Sequence, residues 1–129
     1  MNNTYPFETL FQEKPMINEQ GIFCFSPKDT GDYFAEEDVE WWQNGAFERN
    51  WHNSSFLDNP VSRHLLEDLL KNHPYVIDLA CGPGMGLLPS VKQLVPDFPC
   101  LATDANPLVL REWKNYLQRN SIHTPPQLA

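Results

Sequence analysis

The chain has 129 residues, of which 41% are hydrophobic and 20% charged, the length and composition of one ordinary globular domain rather than of a disordered segment. A formal net charge of -8 and a pI near 4.8 argue against a sequence-independent grip on nucleic acid or on an anionic membrane, since both need clustered Lys and Arg. No apolar run approaches the roughly 18 residues of a membrane span, and Met1 to Thr4 lacks the basic and apolar regions of a secretion signal.

The charge is unevenly spread: residues 1 to 73 carry 13 acidic and 5 basic side chains, and residues 74 to 129 carry 4 of each. Two segments are therefore expected, an N-terminal arm over residues 1–58 and an α/β segment over residues 59–129. In the arm, Met16-Ile17 and Gly21 to Phe25 read as strands of a hairpin around an Asn18-Glu19-Gln20-Gly21 turn. The acidic run Asp29, Asp32, Glu36, Glu37, Asp38 and Glu40 is read as the solvated first turns of a helix rather than as a metal site. Next, Tyr33, Phe34, Trp41, Trp42, Phe47, Trp51 and Phe56 crowd together, which requires burial, either as packing on a sheet or as a lid over a site.

Asn59 and Pro60 are a cap and a first helical residue, and Val61, Leu65 and Leu69, joined by Leu66 and Leu70, predict one apolar helical face ending near Asn72. Tyr75 to Ala80 reads as a short buried parallel strand. Leu88, Val91 and Val95 predict a second helix, with Pro89 tolerated near its first turn. Pro99 to Asp104 is a second strand. Asn106-Pro107 repeats the cap-plus-proline start, and Val109, Leu110, Trp113 and Leu117 form the buried face of a third helix. The alternation predicts a βαβ unit of a doubly wound sheet, with Ser121 to Ala129 as a connection after it. Cys24, Cys81 and Cys100 are an odd number with no C-x-x-C spacing, which disfavours a disulfide framework and a zinc site and fits a cytoplasmic protein.

The chemistry lies in Asp78-Leu79-Ala80-Cys81-Gly82-Pro83-Gly84-Met85-Gly86, where a strand becomes a helix. Glycines there permit a sharp turn and the close approach of a ligand. Asp78 ends the strand, where a carboxylate can take hydrogen bonds or balance a cationic ligand. Asp104 ends the next strand, 22 positions after Gly82, and a carboxylate there can accept from both hydroxyls of a ribose. Two acids at the carboxyl ends of adjacent strands point to a nucleoside site.

This constellation resembles the class I S-adenosylmethionine-dependent methyltransferases, most closely the group whose first motif reads D-L-x-C-G-x-G. The resemblance covers Pro60 to Leu117 and implies a Rossmann-like sheet. It places Asp78 near the methionine part of the cofactor, the turn positions Ala80, Cys81, Gly82 and Gly84 beneath it, Asp104 on the ribose, and Ala105 and Asn106 beside the adenine. Ala80 departs from the family's commonest glycine. A nicotinamide dinucleotide site competes, but it wants G-x-G-x-x-G, and the third position counted from Gly82 is Leu87.

The resemblance further implies transfer of a sulfonium methyl group to an acceptor, by default a small molecule and next a protein, with no catalytic base named. Since only two parallel strands are predicted, a longer enzyme is expected, its sheet interrupted after the second strand and third helix. The alternative is an inactive binding or interaction module, completed by a partner or by a second copy.

Overall fold

The computed structural model describes residues 5–25, 40 and 45–129. A 3-10 turn at Phe7–Leu10 leads into the hairpin of β1 (Met16–Ile17) and β2 (Phe23–Cys24), antiparallel, with Met16 opposite Cys24. Asn18 closes the connection, its Oδ1 accepting from the N–H groups of Gln20 and Ile22 at 2.9 and 3.0 Å. The hairpin is fastened at two further points. Gln20 Nε2 donates to Asn115 Oδ1 at 3.1 Å, and Gln127 Nε2 donates to the Gly21 carbonyl at 2.9 Å.

Two short helices follow, α1 (Phe47–Trp51) and α2 (Ser55–Asp58), and then the longer α3 (Pro60–Asn72). Asn59 Oδ1 caps α3 by accepting from Val61 and Ser62, and its last helical residue lies just ahead of His73-Pro74. From there strands and helices alternate: β3 (Val76–Asp78), α4 (Leu88–Leu94), β4 (Cys100–Ala102), α5 (Pro107–Arg119) and β5 (Gln127–Leu128). The three strands form a parallel sheet in the order β3-β4-β5, with Asp78 opposite Ala102 and Ala102 opposite Leu128.

β5 corrects the expectation that Ser121 to Ala129 is only a connection and that the sheet has two strands. The tail is extended after Pro125-Pro126, Ala129 N–H donates to the Ala102 carbonyl, and Asp104 N–H donates to the Ala129 carbonyl. A paired run of two residues is too short to leave a period in the sequence.

Side chains alternate across β4. Cys100 and Ala102 face the main core with Val91, Val109, Trp113 and Leu117 of the helices, while Leu101 faces away and packs with Phe7 and Phe23 of the arm. Helices thus cover one face of the sheet at β4, and the N-terminal arm covers the other. Ile22, Phe47 and Trp51 also belong to the main core, so the described part of the arm shares the core of the α/β segment.

Two expected apolar faces are only partly buried. In α3, Leu66 and Leu70 are buried, but Val61, Leu65 and Leu69 are 77%, 57% and 45% exposed. The second row lies about 100° around the helix from the first, and no described element covers it. Val95 lies beyond the end of α4 in extended backbone and is partly exposed. Among the described residues, no helix is long and apolar enough to cross a membrane.

Candidate functional site

Parallel neighbours end on the same side of a sheet, so the segments leaving β3 and β4 meet at one place. The segment leaving β3 is residues 80–86. Within it Ala80, Gly82, Met85 and Gly86 all take left-handed φ values, at 56°, 51°, 50° and 49°, around a 3-10 turn at Gly82–Gly84. Glycine adopts that conformation freely, whereas Ala80 and Met85 carry strain.

Side chains and backbone from three other elements hold this turn. Trp113 of α5, fully buried, donates from Nε1 to the Gly82 carbonyl at 2.7 Å. Asn50 of α1 donates from Nδ2 to the Pro83 carbonyl at 2.6 Å. From the end of β4, Asp104 Oδ2 accepts from Gly82 N–H at 2.8 Å, and the Thr103 carbonyl accepts from Cys81 N–H at the same distance. The other oxygen of Asp104 accepts from Asn106 N–H at 2.8 Å. Each carboxylate oxygen has two acceptor sites, so both retain capacity for a ligand hydroxyl.

Asp78 is placed differently. Its main-chain carbonyl is taken by the N–H and hydroxyl of Thr103, at 2.9 and 3.1 Å. Its side chain turns toward Gly86, and its buried Oδ2 has no hydrogen-bond partner among the described residues. A Cβ on Gly86 would sit 2.5 Å from that oxygen. Burial, followed by the charge of Asp104, pushes the Asp78 carboxyl above its ordinary value. Burial, followed by the charges of Asp104 and Asp78, pushes the Cys81 thiol up to about 12.

Beside the turn lies a mainly apolar cavity of about 510 Å³. Ala80, Thr103, Asp104 and Ala105 form its sheet side, Pro107 and Leu110 its helix side, and Phe11, Phe23 and Phe25 its hairpin side. Gly84 and Gly86 face away from it, onto a smaller polar cleft of about 170 Å³ shared with Asn50, Asn53 and Ser90. The residues expected to bind a ligand therefore divide. Ala80, Asp104 and Ala105 line the cavity, Gly84 lines the cleft, and Asp78, Cys81 and Gly82 shape the turn between them. Asn106 is buried and caps α5, its Oδ1 accepting from Leu108 N–H at 2.9 Å.

Of the aromatic segment, three residues are described. Phe47 and Trp51 pack on Trp113, with ring centroids 4.4 and 6.2 Å apart, and share the main core with Cys100 and Ala102 of the sheet. Phe56 borders the polar cleft. Tyr33, Phe34, Trp41 and Trp42 lie outside the described residues, as does the acidic run from Asp29 to Asp38. Arg63 is on the surface, paired with Glu67 at 3.0 Å, and His52, His64 and His73 are exposed. Sequence reasoning missed Phe11, Phe23 and Phe25 as cavity walls. The available signal was Phe23 and Phe25 two apart in a predicted strand, which puts both rings on one face.

Among the described residues, no group of three His, Cys, Asp or Glu side chains is arranged to hold a metal ion. Comparison with protein-family models, with curated proteins and with solved structures returns no match. What the site can bind follows from its geometry.

Proposed function

We propose that the site binds S-adenosylmethionine and that the chain is a methyltransferase of the class I, Rossmann-like kind. The observation that carries this reading is the pairing of two acids at the ends of adjacent parallel strands: Asp104, with free acceptor capacity on a cavity wall, and Asp78, with a buried oxygen lacking a donor among the described residues. A ribose offers two hydroxyls to the first, and a cationic amino-acid end offers charge to the second. The close approach of Asp78 to Gly86 also fits, because any side chain there would displace the carboxylate.

In this reading Asp104 orients the ribose, and the turn at residues 80–86 meets the ligand through Ala80. Asp78 balances positive charge, Ala80 and Ala105 border the nucleoside, and Asn106 acts indirectly by fixing the start of α5. The bound cofactor supplies an activated methyl group, lost by in-line displacement to a nucleophile on the acceptor. The protein's part is to hold the donor and exclude water, for which the apolar cavity is suited. The acceptor is taken to be a small molecule, and the three free cysteines fit a reducing, cytoplasmic setting.

The test is calorimetric titration of the chain with S-adenosylhomocysteine, with NAD as the control ligand and Asp104→Ala as the control protein. Binding of the homocysteine compound alone, lost in the variant, is the expected result. Preference for NAD, or no binding by a chain with native circular dichroism, would overturn the proposal.

A further inference from the structure

The lining of the cavity is of two chemical kinds. Thr103 and Asp104 supply its polar part, and Phe11, Phe23 and Phe25 its aromatic end. Phe11 is the hub of the aromatic end, its ring centroid 4.6 Å from that of Phe25 and 5.9 Å from that of Phe23, both pairs edge to face. Phe23 is buried beneath, while Phe25 is 47% exposed and presents ring surface at the cavity. The volume of about 510 Å³ is within the range of roughly 300–1,000 Å³ typical of small-molecule sites.

A ligand that matches both kinds of lining joins hydroxyl donors to a flat apolar group. That is the chemistry of a nucleoside, with its sugar at Asp104 and its base on the rings. We propose that the β1–β2 hairpin is the base-binding wall of the site and that Phe25, backed by Phe11, is the residue that selects an aromatic base. This rests on the nucleoside reading of Asp104 given above and adds to it a function for residues 5–25.

The hairpin is built to hold such a wall in place. Ile22 is anchored in the main core, Gln20 is bonded to Asn115 of α5, and Gln127 of β5 is bonded to the Gly21 carbonyl. Those ties fix the aromatic end relative to Asp104, so a ligand meets a preformed site and loses less in ordering it. The hairpin also carries its own reporter. Cys24 is partly accessible and lines the cavity, whereas Cys81 and Cys100 are buried.

The experiment combines affinity with thiol protection. The wild-type chain, Phe25→Ala and Asp104→Asn are titrated with S-adenosylhomocysteine, adenosine and homocysteine, and iodoacetamide alkylation of Cys24 is followed with and without each ligand at saturation. Expected are an affinity loss of about tenfold in Phe25→Ala, the same for adenosine and S-adenosylhomocysteine because only the base is affected, and slowed Cys24 alkylation with both. Homocysteine alone should give no protection. Binding of S-adenosylhomocysteine that needs Asp104 but ignores Phe25, with Cys24 labelled at the free rate, overturns the hairpin's role and leaves the nucleoside reading standing. Failure of the folded wild-type chain to bind either nucleoside overturns both.

Discussion

Asp78 keeps a carboxylate partly out of water with one oxygen unpartnered among the described residues, an arrangement that weakens the fold wherever the group is charged. Its pKa in the folded chain lies above the ordinary value of 3.8, so the folded state holds the proton more tightly than the unfolded one. The associated stability is full below 3.8 and is lost as pH rises through the folded value. Asp78→Asn removes the charge and should therefore raise the melting temperature at neutral pH, with the gain shrinking as the pH falls toward 3.8. The same variant should bind S-adenosylhomocysteine more weakly. A melting curve measured across pH, beside one titration, checks both, and lower stability at neutral pH would show that the carboxylate has a partner in the fold. Ala80 and Gly86 provide a second contrast within the same turn, since both have left-handed φ. Ala80→Gly should stabilise by about 1 kcal/mol by relieving the Cβ strain. Gly86→Ala should cost about 2 kcal/mol or more, because strain is joined by collision with Asp78. Equal and opposite effects of the two changes in denaturant unfolding would mean that φ alone matters and that the Asp78 contact does not.

At the level of elements, α5 links the core to the turn. Trp113 fills the space between Phe47 and Tyr116 and spends its only donor on the Gly82 carbonyl. Trp113→Phe keeps most of the apolar contact but leaves a small cavity and an unpaired carbonyl, so a loss of about 2–4 kcal/mol in denaturant unfolding is expected. Because that carbonyl belongs to the residue whose N–H reaches Asp104, ligand affinity should fall as well. A stability loss with unchanged affinity would confine Trp113 to packing. Much of α5 was legible in the sequence: Asn106-Pro107 marks its start, and Val109, Leu110, Trp113 and Leu117 are all buried as their spacing predicts. The same holds for the Asn59-Pro60 start of α3 and for the hairpin around Asn18 to Gly21, since caps and turns depend on residues near in sequence. What was not legible depends on distant partners. The row Val61, Leu65 and Leu69 has the periodicity of a buried face, but only the neighbouring row of Leu66 and Leu70 meets the core. Likewise, Asp104 was placed by spacing, but its bonds to the backbone of Gly82 and Asn106 could not be read from residue types.

For the molecule as a whole, segments far apart in sequence meet at the site. The arm supplies the aromatic wall from residues 5–25, and β5 pairs with β4. Leu128 is buried in the main core, Ala129 lines the cavity, and the Ala129 carbonyl accepts from Asp104 N–H at 3.0 Å. Gln127 ties β5 back to the hairpin through Gly21. The two-residue strand thus connects the acid that would hold a sugar to the rings that would hold a base. Leu128→Ala should cost about 2–5 kcal/mol, the usual range for emptying a buried leucine position. If β5 is only packing, S-adenosylhomocysteine affinity in the remaining folded protein should be unaltered. If β5 positions Asp104 and the hairpin together, affinity should fall in the folded fraction, and Cys24 should alkylate faster in the free protein as the hairpin loosens. Titration at a temperature where the variant is still fully folded separates these outcomes, because global unfolding then contributes to neither measurement.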